Sequence, residues 1–228
     1  MNVEVIVPFG THDDEHRRAA RRWVLARYAA LHPRWTLTPA EHTGPWIKAM
    51  AVNPAADASD ADVLVIADAD SFVTADALTT AVAAAYRGTW AQPAAHVRRL
   101  DRDATAITLA ADPTGLPTVT AGRSHQLLAG GGIVVVRRDV WADVDGYDPR
   151  FLGWGGEDYA LGCALRAVTG RYAHKTPGTL WHLWHPPAPS YNGMLPPGNS
   201  ALASRYRAAK FDPAEARAII NERRESWR

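Results

Sequence analysis

The chain has 228 residues, 47% hydrophobic and 21% charged, which is the composition of a folded globular protein with a sizeable core and excludes a disordered or fibrous chain. No apolar run reaches the roughly 18–20 residues of a membrane span. The formal charge of +1 argues against a protein that coats long nucleic acid, and the single cysteine, Cys163, excludes an internal disulfide or a cysteine-based zinc finger.

Met1 to Pro8 reads as a strand rather than a secretion signal, so a cytoplasmic location is expected. Val3 to Val7 forms that strand, ended by Pro8 and Gly10. Thr11 with Asp14 three residues on reads as the cap of a helix running to about Leu31, with Ala20, Val24, Tyr28 and Leu31 inward and Arg17, Arg18, Arg21 and Arg22 toward solvent. Trp35 to Thr38 reads as a second strand and Trp46 to Asn53 as a short helix. Val63 to Ala67 is a buried strand running into Asp68-Ala69-Asp70, and Thr74 to Tyr86 returns as a helix. This alternation predicts a largely parallel sheet covered on both faces, with ligands beyond the carboxyl ends of its strands. Between Thr89 and Leu128 there are weak strand signals at His96 to Leu100 and Ala106 to Leu109. Gly130-Gly131-Gly132 introduces a strand, Ile133 to Val136, followed by a short helix, Asp139 to Val144, and a turn at Asp145-Gly146. Glu157 to Val168 is helical, Thr179 to Trp184 a strand, and Pro186 to Asn199, rich in proline and glycine, a long loop. Asp212, Pro213 and Glu215 then open a final helix.

Three groups carry chemistry. Asp68-Ala69-Asp70, at the end of a buried strand, can offer one carboxylate to a divalent cation and the other to a hydroxyl or amide. His182 and His185 end another strand; three apart, both meet one ion only if the strand stops or kinks between them. A carboxylate and imidazole set is reasonable for Mn²⁺. In Gly153-Trp154-Gly155-Gly156-Glu157-Asp158, the glycines permit close approach to a ligand, Trp154 can cover a sugar face, and two acids sit in the first turn of a helix. A carboxylate placed there can take a proton from a substrate hydroxyl.

With that string, the chain resembles the GT-A glycosyltransferases, in particular the C-terminal region of the galactosyltransferase family, shared with family-2 and polypeptide N-acetylgalactosaminyltransferases. Val7-Pro8-Phe9, Lys48-Ala49 with Asn53, Asp68-Ala69-Asp70, Gly131-Gly132 and His185 match in family order. The resemblance implies an α/β GT-A fold with a mixed, mostly parallel central sheet and helices on both faces. It covers one domain over residues 1–199, with a donor half to about residue 100 and an acceptor half to about 199. Residues 200–228 would be a helical extension.

By the same resemblance, Pro8 and Phe9 would line a uridine pocket, Lys48 would lie near the donor diphosphate, and Asp68, Gly131, Gly132, Trp154, Gly155 and Gly156 would contact donor or sugar. Asp70 with His185, and His182 beside them, would hold Mn²⁺ or Mg²⁺. Asp158 would be the catalytic base and Glu157 would orient the acceptor. Lys48 stands where arginine is common, and Tyr159 replaces a third acid of some galactosyltransferases. The implied reaction is transfer from a nucleotide-sugar, a UDP-sugar first among them, to an acceptor glycan, protein, lipid or modified base with inversion. Because the loop Pro186 to Asn199 directly follows the proposed metal ligand, it is expected to close over the bound nucleotide, giving ordered binding with donor first. A retaining transferase, a metal-dependent hydrolase using the same histidines, and a glycan- or nucleic-acid-binding module are the alternatives.

Overall fold

A computed structural model describes residues 1–187 and 195–226. In chain order the elements are β1 (Val3–Gly10), α1 (Glu15–Leu31), β2 (Thr36–His42), α2 (Lys48–Asp57), β3 (Val63–Ala67), β4 (Ser71–Phe72), α3 (Ala75–Arg87), β5 (Trp90–Gln92) and β6 (His96–Leu100). There follow α4 (Arg102–Ala110), β7 (Gly122–Gln126), β8 (Ile133–Arg137), α5 (Arg138–Val144), α6 (Glu157–Thr169), β9 (His174–Lys175), β10 (Thr179–His182), α7 (Pro197–Ala209) and α8 (Pro213–Ser226).

The main sheet has the order β2-β1-β3-β8-β5-β9. β1 is parallel to β2 and β3, β8 is antiparallel to β3 and β5, and β9 is parallel to β5. The sheet is therefore mixed. Because side chains alternate along a strand, its two faces feed two cores. Val5, Val65 and Val135 pack with Trp23, Val24 and Tyr28 of α1 and Leu78 and Val82 of α3. Ile6, Leu64, Ile66 and Val134 face the other way, onto Val52 of α2, Val140 of α5 and Leu161 and Leu165 of α6. Tyr206, Ile219 and Ile220, from α7 and α8, join this second core. A small sheet, β4-β10-β6-β7, flanks the end of β3.

Several expectations are corrected. The first helix starts after Asp14, whose carboxylate accepts the Arg17 N–H, rather than at Thr11. Thr11 is still committed to the strand edge, since its N–H donates to His42. Ala106 to Leu109 lies within α4, capped by Asp101 accepting from the Ala104 N–H, and is not a strand. The loop from Pro186 is shorter than expected, because Pro197 opens α7 and Asn199 is helical; residues 188–194 of that loop lie outside the described residues. The 199/200 boundary falls inside α7. Among the described residues, no helix is long and apolar enough to cross a membrane.

Candidate metal and acid site

Asp70 follows β3 and immediately precedes β4, whose Ser71 and Phe72 pair antiparallel with His182 and Trp181 of β10. β10 stops at His182, and the Leu183 N–H then donates to the Asp70 carbonyl at 2.8 Å. The break frees the next residues from alternation, so both histidines reach one carboxylate. His185 Nε2 lies 3.1 Å from Asp70 Oδ2 and His182 Nε2 lies 3.5 Å from Oδ1. The three ligand atoms are all within 4.8 Å of one another.

The electrostatics suit a cation. Burial, against the pull of Asp70, pushes His182 down to about 4, so its imidazole is neutral. Its Nε2 accepts from Arg99 Nη1 at 3.0 Å, so the lone pair lies on that nitrogen, and an ion binding there would take the place of the guanidinium. Burial works against ionised Asp70, but the two histidines outweigh it and hold the carboxyl well below its usual range. His185 Nδ1 donates to the Pro186 carbonyl at 2.7 Å, turning Nε2 toward Asp70. One carboxylate oxygen and two such nitrogens fit a divalent ion of the Mn²⁺ kind.

A second cluster adjoins the first through the Asp-x-Asp segment. Lys48, at the start of α2, is 5% exposed and donates to Asp68 Oδ1 at 2.6 Å and to Asp158 Oδ1 at 2.7 Å. Tyr147 completes it, its hydroxyl donating to Asp158 Oδ1 at 3.2 Å and its ring facing Lys48 Nζ at 5.0 Å. Burial disfavours the Lys48 charge, but Asp158 and Asp68 outweigh it and hold the ammonium firmly protonated. Burial raises Asp68 to about 6 despite Lys48. It also raises Glu157 to about 7, with Asp158 adding to the rise, and Glu157 Oε2 is buried with no hydrogen-bond partner among the described residues.

The glycine string is a tight loop entering α6. Gly155 and Gly156 both have φ +99°, a region that side chains rarely adopt, and a Cβ on Gly156 would come within 2.9 Å of Phe151. Glu157 and Asp158 occupy the first turn of α6, where the helix dipole favours negative charge. Trp154 is 42% exposed at the surface of this loop. Gly132, at φ +71°, accepts the Asp68 N–H at 2.9 Å through its carbonyl and so ties the glycine run before β8 to the acidic segment. The Gly131 carbonyl accepts from Gln92 Nε2 at 3.3 Å.

A cleft of about 440 Å³ opens beyond the carboxyl ends of β1 and β2, lined by Gly10, His12, Asp13, Gly44, Pro45 and Trp46. This is where an α/β sheet accepts ligands. Pro8 is buried, and Phe9 is half-buried with the Arg21 guanidinium 3.8 Å from its ring centre; neither lines this cleft. The structure thus gathers Asp70, His182 and His185 in one cluster and Lys48, Asp68 and Asp158 in another. Pro8 and Phe9 remain apart on β1.

Residues 123–174 match a family model described as the N-terminal domain of galactosyltransferase. The matched stretch contains Gly131-Gly132 and the Gly153 to Asp158 string, which carry the resemblance to that family's C-terminal region. Comparison with curated proteins finds no match. Among solved structures, the fold is similar to the catalytic domain of Drosophila β1,4-galactosyltransferase 7 in complex with xylobiose, at 13% identity over 90% of this chain and 80% of that one, TM-score 0.54. It is similar to GalNAc-T7 with UDP, GalNAc and Mn²⁺, at 12% identity over 98% of this chain and 55% of that one, TM-score 0.54. Glucosyl-3-phosphoglycerate synthase from Mycobacterium tuberculosis, in complex with phosphoglyceric acid, gives 14% identity over 92% and 79%, TM-score 0.51. The chain thus shares the fold of these glycosyltransferases, and one segment of it matches the galactosyltransferase family model.

Four residues that position the two clusters carry little signal in the sequence. Tyr147 follows a turn and looks like ordinary core. Gly130, at φ +82°, lies so close to the Asp158 carbonyl that a Cβ would come within 1.9 Å of it. Arg99 reads as a surface strand residue until β6 is paired with β10. Asn199, 2% exposed, donates to the carbonyls of Leu152 and Gly155 at 3.0 and 2.8 Å and accepts the Leu152 N–H at 3.1 Å. It braces the glycine string from α7, although in sequence it belongs to a proline- and glycine-rich stretch.

Proposed function

We propose that this glycosyltransferase moves a hexose from a UDP-sugar to an acceptor hydroxyl with inversion, using Mn²⁺ or Mg²⁺ at Asp70, His182 and His185 and Asp158 as general base. One observation carries the reading: the metal-ligating cluster and the proposed base are joined through Asp68 and Lys48. GalNAc-T7 was solved with UDP and Mn²⁺, which supports the choice of donor and ion.

A bound divalent ion would stabilise the negative charge that grows on the departing diphosphate. The protein's own groups do the rest. The nucleotide occupies the cleft between Gly10 and Trp46, with the indole as its apolar wall, and its diphosphate runs toward Asp70. Asp158 takes the acceptor proton through Oδ2. Its Oδ1 is occupied by Lys48 and Tyr147, whereas Oδ2 has no hydrogen-bond partner among the described residues. Lys48 and Tyr147 are positioning residues that fix the carboxylate plane, and Glu157 orients the acceptor. Residues up to about 100 supply the donor half, and the later half supplies Trp154 and Asp158.

The test is Mn²⁺-dependent nucleotide release across a panel of UDP- and GDP-sugars, with the product anomer read by NMR. UDP release with an inverted anomer is expected. A retained anomer overturns the inverting assignment, and nucleotide-independent hydrolysis overturns the transferase.

A further inference from the structure

The small sheet carries a transverse row that starts at the metal-ligating cluster. Ser71 of β4 is opposite His182 of β10, His182 is opposite Arg99 of β6, and Arg99 is opposite Arg123 of β7. Directly opposed residues project from the same face of a sheet, so these four side chains form one line. Arg99 Nη1 is 3.0 Å from His182 Nε2. Arg99 and Arg123 are both exposed, and neither forms an ion pair with a carboxylate among the described residues. Like charges opposed across a strand pair are unfavourable, which makes this a surface that gains by receiving an anion.

The order of the elements says which anion. The cleft lies past β1 and β2, the metal-ligating cluster comes next at the end of β3 and along β4 and β10, and Arg99 and Arg123 lie beyond it, on β6 and the edge strand β7. Successive strands are about 4.8 Å apart, so the backbone at Arg123 stands about 10 Å past that at His182. Arg99 touches the metal-ligating cluster at His182, and Arg123 carries the row one strand farther from Asp70. We propose that Arg99 and Arg123 form a subsite for an acidic group, a phosphate or carboxylate, carried by the acceptor. The proposal rests on the transferase reading for the identity of donor and acceptor, and on the sheet register alone for the anion site.

Thermal denaturation with millimolar inorganic phosphate as the probe, without metal, tests the subsite, and calorimetric titration of UDP with Mn²⁺ tests the donor. Phosphate should raise the Tm of the wild-type chain and lose at least five-fold in apparent affinity in the Arg123→Ala variant, which leaves the Arg99–His182 contact in place, while UDP affinity stays within two-fold. An equal phosphate response in both proteins overturns the subsite. A loss of UDP affinity of five-fold or more in that variant assigns Arg123 to the donor and overturns the acceptor reading. Arg123→Gln alone, in phosphate-free buffer of low ionic strength, should raise Tm by about 1–3 °C as the opposed charges are relieved; an unchanged or lower Tm removes that argument. Asp70→Asn should lose Mn²⁺-dependent UDP binding and keep the phosphate response, so failure of the metal reading and failure of the subsite give different results.

Discussion

Asp68, just past β3, and Asp158, in the first turn of α6, meet on one ammonium: Lys48 Nζ lies 2.6 Å from the first and 2.7 Å from the second. Removing one partner of a buried ion pair costs about 3–5 kcal/mol, because the remaining charge is stranded. Lys48→Met should therefore destabilise the fold by about that amount in urea unfolding. A change below roughly 1 kcal/mol, the range of an exposed pair, would show that these carboxylates are solvated.

Asp158→Asn keeps the shape of the cluster and removes the proposed proton acceptor. Transfer should fall by about 10²–10⁴-fold at saturating donor, while UDP and Mn²⁺ bind as before. A variant retaining more than roughly a tenth of the wild-type rate ends the base assignment.

Metal binding can be read without turnover. Asp70→Asn and His185→Ala should each weaken Mn²⁺ binding, followed by electron paramagnetic resonance of the free ion, by at least about ten-fold, since ligand loss should exceed the 10–100-fold effects typical of outer-shell changes at their lower end. Unchanged Mn²⁺ affinity in both would place the ion elsewhere.

Glu157 gives a pH signature. In the folded chain it keeps its proton to about 7, whereas its ordinary value is 4.5, so the folded state binds the extra proton and its stability declines as pH rises through that window. Glu157→Gln should be more stable than wild type above pH 7 by about 1–3 kcal/mol, with the difference vanishing below about pH 4.5. Chemical denaturation at pH 4.5 and 8 measures it, and a difference independent of pH would locate the effect in packing.

Asn199→Ala should cost about 2–4 kcal/mol, because it strands backbone groups at Leu152 and Gly155. Hydrogen exchange should accelerate at residues 152–156 ahead of the sheet. Uniform acceleration across the chain would mean that Asn199 acts only on global stability.

Much of this architecture is legible in the chain because the relevant physics is local. Val63 to Ala67 is a run of apolar residues ended by acids, and it is β3 residue for residue. The acids of α6 follow glycines, and the helix begins where they do. What is hidden depends on pairing between distant segments. Ala-Ile-Thr-Leu in α4 has the β-branched look of a strand, and only the Asp101 cap, read together with Ala104, signals the helix. Arg27 reads as one more cation on α1. It is 2% exposed, because it donates to the carbonyls of Val73, Pro113 and Gly115, which nothing near it in sequence announces. The histidines were visible as a pair, but their convergence on Asp70 required the early end of β10.

The final two helices have a bearing on how the protein can be cut. Arg223 of α8 donates to the carbonyls of Val144 and Gly146, and Arg150 donates both to Asp148 and to the Ile219 carbonyl, while the Tyr206 hydroxyl closes on Asp148. These ties grip the stretch leading into the glycine string from behind. A fragment stopped at residue 199 would leave the carbonyls of Val144 and Gly146 without the Arg223 donors and Asp148 without the Tyr206 hydroxyl, and would uncover the apolar face of α6 that packs against Tyr206 and Ile219. The packed core of this chain therefore extends through α8.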